Sequence, residues 1–95
     1  MNEKLKINIE NKNEAIYMCL NGDLDLSSTI KFRELLLNHV SKENVFLNLE
    51  NLEYIDSSGL AALIEGHQAA RKNKKKLILT TIHPKILSIL EMAQL

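Results

Sequence analysis

The chain of 95 residues contains one cysteine, one proline, three glycines and no tryptophan. A single cysteine, Cys19, excludes an intramolecular disulfide and any multi-cysteine metal site. Its apolar surroundings, Tyr17-Met18-Cys19-Leu20, predict a buried, inert thiol. Aromatic residues make up only 4% of the chain, which leaves no base-stacking platform for single-stranded nucleic acid. An excess of charge of one sign is missing too. Twelve Lys and Arg offset twelve Asp and Glu, so no global field recommends nucleic acid as a partner. No apolar run approaches the roughly 18 residues that a membrane-spanning helix requires. The charged, alternating start MNEKLKINIE lacks the form of a signal peptide. A cytoplasmic protein without membrane insertion is the expectation.

Catalytic signatures are missing as well. The chain has no G-x-x-x-x-G-K-[ST] phosphate loop, no G-x-G-x-x-G, no H-E-x-x-H and no G-x-S-x-G. His39, His67 and His83 are far apart. His67 reads as a solvated helix residue, and His83, before Pro84, as the maker of a local hydrogen bond. No catalytic residue, cofactor site or metal site is therefore expected. At 10.8 kDa the chain has room for one domain, residues 1–95. A chain of this size buries only about 60–65% of its unfolded surface, which favours a modest core over an enclosed active site.

What is present is regular patterning. Lys4–Glu10 alternates Leu5, Ile7 and Ile9 with polar residues, the period of a strand with one buried face. The cluster Asn11-Lys12-Asn13 predicts a turn, and Ala15–Leu20 a second strand closed by Asn21-Gly22, so the two form a hairpin. Ser27 or Ser28 is suited to cap a helix that runs to about Val40. Ile30, Phe32, Leu35, Leu36, Leu37 and Val40 form its apolar stripe. Val45–Leu49 is apolar enough for a central strand, and Tyr54-Ile55 extends toward a turn at Asp56-Ser57. Ser58 to about Asn73 is helical, with Leu60, Leu63, Ile64 and Ala61 inward. Lys76–Ile82 is a fourth strand. Pro84 suits the first turn of a last helix whose apolar face is Ile86, Leu87, Ile89 and Leu90. The order is β-β-α-β-α-β-α. The expected class is α/β, a small mixed sheet of about four strands packed against helices, the last two strands parallel.

Two segments carry charge or hydroxyl chemistry. The basic run Arg71, Lys72, Lys74, Lys75, Lys76 reads as a solvated helix end whose cations complement the helix dipole; docking of an acidic partner is its other use. The segment Tyr54-Ile55-Asp56-Ser57-Ser58-Gly59-Leu60 puts two serines at a strand-to-helix junction. One serves as a helix cap. The other, facing solvent at a helix N-terminus, is a suitable phosphorylation site, because free N–H groups and the dipole accept the anion while Asp56 opposes it.

These residues resemble the STAS domain of bacterial anti-sigma factor antagonists. The likeness rests on Gly22-Asp23-Leu24-Asp25 after the second strand, the strand Val45-Phe46-Leu47-Asn48-Leu49 and the motif Asp56-Ser57-Ser58-Gly59-Leu60. The helix that follows, the KLILTT strand and the helix from Pro84 extend it over almost the whole chain. The resemblance implies a partner-switching protein that binds an anti-sigma factor with a serine-kinase fold. Phosphorylation ends that binding, and a phosphatase restores it. By position, Ser57 is the implied phosphoacceptor, and Asp23, Asp25, Asp56, Ser58 and Gly59 line the binding surface. ATP and Mg²⁺ belong to the partner. A monomer that enters a heterocomplex is the simplest form. Members commonly continue into one more strand and a closing helix. A shorter branch of the same domain serves as an accessory subunit of phospholipid-transport ABC complexes and docks on their ATPase. The double serine favours the switch; the length favours the transporter subunit.

Overall fold

The computed structural model describes residues 4–93. Its elements are β1 (Leu5–Lys12), β2 (Ala15–Leu24), α1 (Leu26–Val40), β3 (Asn44–Ile55), α2 (Ser57–Lys72), β4 (Leu77–Ile82) and α3 (Pro84–Met92). This is the expected order. The four strands form one mixed sheet in the spatial order β1-β2-β3-β4. β1 and β2 are antiparallel, whereas β2 with β3 and β3 with β4 are parallel.

Several boundaries differ from the sequence reading. The hairpin turn falls at Asn13-Glu14, both with positive φ (54° and 62°), between the register partners Lys12 and Ala15. Two left-handed residues in a two-residue loop match the right-handed twist of the flanking strands. β2 does not stop at Asn21-Gly22 but continues to Leu24 across two register shifts. Gly22 permits this: its φ is 115°, and a Cβ there would lie 2.1 Å from the Lys4 carbonyl oxygen. The segment Gly22–Asp25 is therefore a strand end and a helix cap rather than a turn. Val45–Leu49 and Tyr54-Ile55 belong to one twelve-residue strand, β3.

The core lies between one face of the sheet and the helices. Leu20, Leu24, Phe32, Leu36, Leu47, Leu49 and Leu52 are fully excluded from solvent, each removing roughly 1.5–3 kcal/mol worth of apolar surface from water. α1 buries Thr29, Phe32, Leu36 and Val40, and α2 buries Gly59, Ala62, Leu63, Gly66 and Ala70. Ile30, assigned inward by periodicity, is 65% exposed. α1 has so many apolar positions that two overlapping stripes fit, and the Asp25 cap selects the one carrying Phe32. Ala61 and Ile64 of α2 and Leu87 of α3 also face outward, while Ile86 and Leu90 are buried. Among the described residues the opposite sheet face carries no helix-packed core residue. There Tyr17 stacks on Phe46 with centroids 4.9 Å apart. Cys19 lies on this face and is half-buried, not buried; its sulfur accepts a long 3.8 Å hydrogen bond from Asn21.

Candidate functional site

Leu24 and Ile55 are register partners in two parallel strands. Asp25 and Asp56 follow them directly, so the two strand-to-helix junctions stand side by side at the carboxyl end of the sheet. The Asp56 N–H donates to the Leu24 carbonyl at 3.2 Å. Each aspartate, not a serine, is the N-cap of its helix. The sequence offered serine and aspartate at adjacent positions, and both types cap. The carboxylate wins because it accepts several N–H groups at once.

The Asp25 Oδ1 accepts from the N–H of Ser27 at 3.0 Å and of Ser28 at 3.2 Å, and from the Ser27 hydroxyl at 2.7 Å. Ser28 Oγ accepts in return from the Asp25 N–H at 3.0 Å, which completes a capping box. Lys4 adds an ion pair to Asp25 Oδ2 at 3.0 Å. The Ser27 hydroxyl first, and Lys4 next, hold the Asp25 carboxyl far below the usual carboxylate range. Lys4 is raised in turn by Asp25. Asp23, half-buried, is fixed through its backbone: its N–H donates to Lys4 and its carbonyl accepts from Ser28 Oγ.

At α2 the Asp56 Oδ1 accepts from the N–H of Ser58 at 2.9 Å and of Gly59 at 3.0 Å, and from the Ser58 hydroxyl at 2.6 Å. The Ser58 hydroxyl and the Gly59 N–H lower the Asp56 pKa, with a smaller contribution from the Leu26 N–H. Ser58 Oγ also lies 3.3 Å from the buried Thr29 Oγ1, which ties the two helices together. Ser57 occupies the first position of α2 and is exposed. Among the described residues its hydroxyl has no hydrogen-bond partner, whereas Ser58 is engaged twice. Gly59 is buried, and a Cβ there would come within 2.8 Å of Ile55 and 2.9 Å of Leu24. Glycine at this point lets α2 start directly against the ends of β2 and β3.

The structure thus gathers Asp23, Asp25, Asp56, Ser57, Ser58 and Gly59 at one end of the sheet. Two apolar neighbours escaped the sequence reading: Leu26, 71% exposed, and Ile30, one turn further along α1. Their exposure has no marker in the sequence, since it depends on which α1 stripe packs inward. An Arg33–Glu65 ion pair, with Arg33 Nε donating at 2.6 Å, braces α1 against α2 beyond them. His83 caps α3, its Nδ1 accepting from the Lys85 N–H at 3.1 Å, as expected of a local role. Among the described residues there is no cluster of His, Cys, Asp or Glu fit for a metal ion, and no buried side-chain polar atom lacks a partner. Among the described residues no helix is long and apolar enough to cross a membrane.

A mixed four-stranded sheet with paired, aspartate-capped helix starts defines a small α/β domain whose exposed serine, Ser57, sits on the surface at the carboxyl end of the sheet. The chain belongs to the STAS domain family, whose profile matches residues 6–95. It is 25% identical over 95 residues to the anti-sigma-B factor antagonist of Staphylococcus aureus, covering 96% of this chain and 88% of that one. Against the anti-sigma F factor antagonist of Paenibacillus polymyxa it is 23% identical over 94 residues, covering 96% and 80%. Its fold is similar to that of the anti-sigma factor antagonist SpoIIAA in the unphosphorylated form, with TM-score 0.81, 18% identity and coverage of 94% and 81%. The phosphorylated form of the Bacillus protein gives 0.77, 18% identity and coverage of 93% and 83%.

Proposed function

We propose that this protein is a phosphorylation-controlled binding switch of the anti-sigma factor antagonist type. In its unmodified form it binds an anti-sigma factor that is also a serine kinase. Phosphorylation of Ser57 releases that partner, and a phosphatase resets the protein. The observation that carries this reading is the contrast between the two serines: Ser57 is exposed with a free hydroxyl, while Ser58 is held by Asp56 at 2.6 Å. The curated relatives are antagonists of anti-sigma factors by name. SpoIIAA resembles this chain in both its unphosphorylated and its phosphorylated form. The reading of an ABC-transporter subunit gains no such support and is not carried forward.

The mechanism is charge at a docking surface. Phosphate adds roughly −1.5 to −2 charges at neutral pH. Ser57 is exposed and its hydroxyl takes no part in the Asp56 cap, which holds the N–H groups of Ser58 and Gly59, so the phosphate leaves the fold in place while the positive end of the helix dipole offsets part of its charge. Asp56, Asp25 and Asp23 make the surface around Ser57 more anionic still. Carboxylates of a partner at such a contact would then cost several kcal/mol, and about 4 kcal/mol is a thousandfold in affinity. Leu26 and Ile30 provide apolar area beside the switch for the unmodified complex. Nothing in this scheme needs catalysis by the chain itself; ATP and Mg²⁺ are the partner's.

The test is intact mass spectrometry of the protein isolated from its own cells, with fragmentation. An added mass of about 80 Da on Ser57, one phosphoryl group, together with a co-purifying serine kinase that is retained by Ser57→Ala and lost by Ser57→Asp, is the expected result. A partner that binds Ser57→Asp as well as wild type would overturn the switch.

A further inference from the structure

The net charge of zero conceals an uneven distribution. Arg71, Lys72, Lys74, Lys75 and Lys76 are gathered where α2 ends and β4 begins. The Val45 N–H donates to the Lys76 carbonyl at 2.9 Å, and the Lys76 N–H to Asn44 Oδ1 at 2.9 Å. The run therefore stands at the amino ends of β3 and β4. The Ser57 surface stands at the other end, the whole of α2 away, 16 residues or roughly 24 Å. Four of the five cations are exposed and Lys75 is half-buried. Among the described residues none of them forms an ion pair. The loop after α1 adds Lys42 and Glu43 at this end, and the hairpin adds Lys12 and Glu14, two pairs that cancel. The rest of the chain holds ten acidic and five basic residues.

The end of α2 does not need all these ammonium groups. The carbonyls of Ala69, Ala70 and Arg71 already accept the N–H groups of Asn73, Lys74 and Lys75, and Asn73 Nδ2 donates to Ala69 at 2.8 Å. Arg71 and Lys72 meet the dipole in the last turn, and the dipole's effect falls off beyond it. Lys74, Lys75 and Lys76 are left over. Lys74 also holds φ at 59°, a left-handed position that favours glycine, so a cation stands where the backbone favours a residue without one.

We infer that this basic end docks on an anionic lipid surface, with the Ser57 end turned away from it. What the run lacks decides the occupant. No aromatic residue lies between His67 and Lys76 to stack a nucleic-acid base. The exposed large apolar residues Leu26, Ile30, Tyr54, Leu87 and Met92 lie on other segments, so the run has no apolar centre of the kind a folded protein partner requires. An anionic bilayer asks for neither, and holds clustered cations through its field. The same field repels the carboxylates at the far end, so the separation of charge also orients the molecule. None of this depends on the reading of Ser57.

The probe is sedimentation of the full chain with vesicles of equal parts phosphatidylglycerol and phosphatidylcholine. Binding is expected to these and not to pure phosphatidylcholine, and it should weaken as salt is added. The variant Lys72→Gln/Lys74→Gln/Lys75→Gln, checked for unchanged circular dichroism, is expected to lose roughly fivefold in partitioning per cation removed. Lys31→Gln/Lys85→Gln, away from the run, is expected to bind as wild type does. Lys74→Gly, which suits the left-handed backbone, is expected to weaken binding while unfolding in urea at the same or higher midpoint, which separates the charge from any part in the fold. Three results would each overturn the inference: no excess binding to the anionic vesicles, equal losses in the two lysine variants, or preferential capture by duplex DNA of arbitrary sequence. Salt-sensitive self-association of the chain in place of vesicle binding would assign the basic end to a second copy instead, and would overturn it too.

Discussion

The starts of α1 and α2 are nearly superimposable in their chemistry and differ at one position that matters. Both read Asp-x-Ser. In both, the aspartate accepts two N–H groups and the hydroxyl of the serine two residues on. The position between them is Leu26 in α1 and Ser57 in α2. The true counterpart of Ser58 is therefore Ser27, and Ser57 has no hydroxyl counterpart at all. The first start is also locked by Lys4 and by the returning bond from Ser28. The second has neither the lysine nor the capping box, because Gly59 stands where α1 has Ser28. One junction is fixed and presents an apolar side chain. The other has the same cap but leaves a hydroxyl free, which is the arrangement a reversible modification requires.

The sharpest way to break this comparison is to place the same charge at both ends. Ser57→Asp is expected to weaken capture of the partner by about a thousandfold. Ser27→Asp, whose added carboxylate faces Lys31 and Lys4 as well, is expected to weaken it far less; equal losses by titration calorimetry would refute the distinction. Next in size is Gly59→Ala. Its methyl has no room against Ile55 and Leu24, so unfolding in urea should show a loss of about 1–3 kcal/mol. Ser28→Ala, at the equivalent place in α1, removes the capping-box return and the bond to the Asp23 carbonyl but meets no steric clash.

Loss of either cap comes third. Asp25→Ala and Asp56→Ala should each cost about 1 kcal/mol, measurable as a shift of the urea midpoint at constant slope. The pH profile sharpens the same point. Both carboxyls are depressed in the folded state. Their stabilisation is fully present above the unfolded aspartate pKa of about 4 and is lost as pH falls through the lower folded values. Asp25 carries the larger depression and so sustains α1 to more acidic pH than Asp56 sustains α2. Hydrogen exchange below pH 4 should open α2 first; the reverse order would contradict the assignment. The smallest effect is at the hairpin. Glu14 holds φ at 62°, a conformation that suits glycine, and Glu14→Gly is expected to raise stability by up to about 1 kcal/mol.

Much of this architecture was legible in the sequence. Period-two alternation in Lys4–Glu10, the apolar run at Val45 and Pro84 at a helix start are local signals, and each named its element. What was not legible depended on competition between equally suitable residues. Asp25, Ser27 and Ser28 can all cap, and only the tertiary pairing of Leu24 with Ile55 decides that both aspartates turn the chain into a helix. The same ambiguity hid Leu26 and Ile30, because α1 has more apolar residues than one stripe can bury. Cys19 was misplaced because an apolar neighbourhood along the chain alternates between two faces of a sheet, and only one of them is covered. Motif adjacency brought Asp56, Ser57, Ser58 and Gly59 into view together. That the Ser57 hydroxyl, unlike that of Ser58, has no partner among the described residues needed coordinates.

The Asn13-Glu14 turn has a practical consequence. It lies at the start of the ten-residue strand β2, whose far end leads into Asp25, so the turn and the phosphoacceptor junction are separated by roughly 30 Å. A fluorophore or an epitope grafted at that turn would ride on the molecule without approaching the Ser57 surface. Binding and release of partners could then be followed in living cells by a reporter that does not interfere with what it reports.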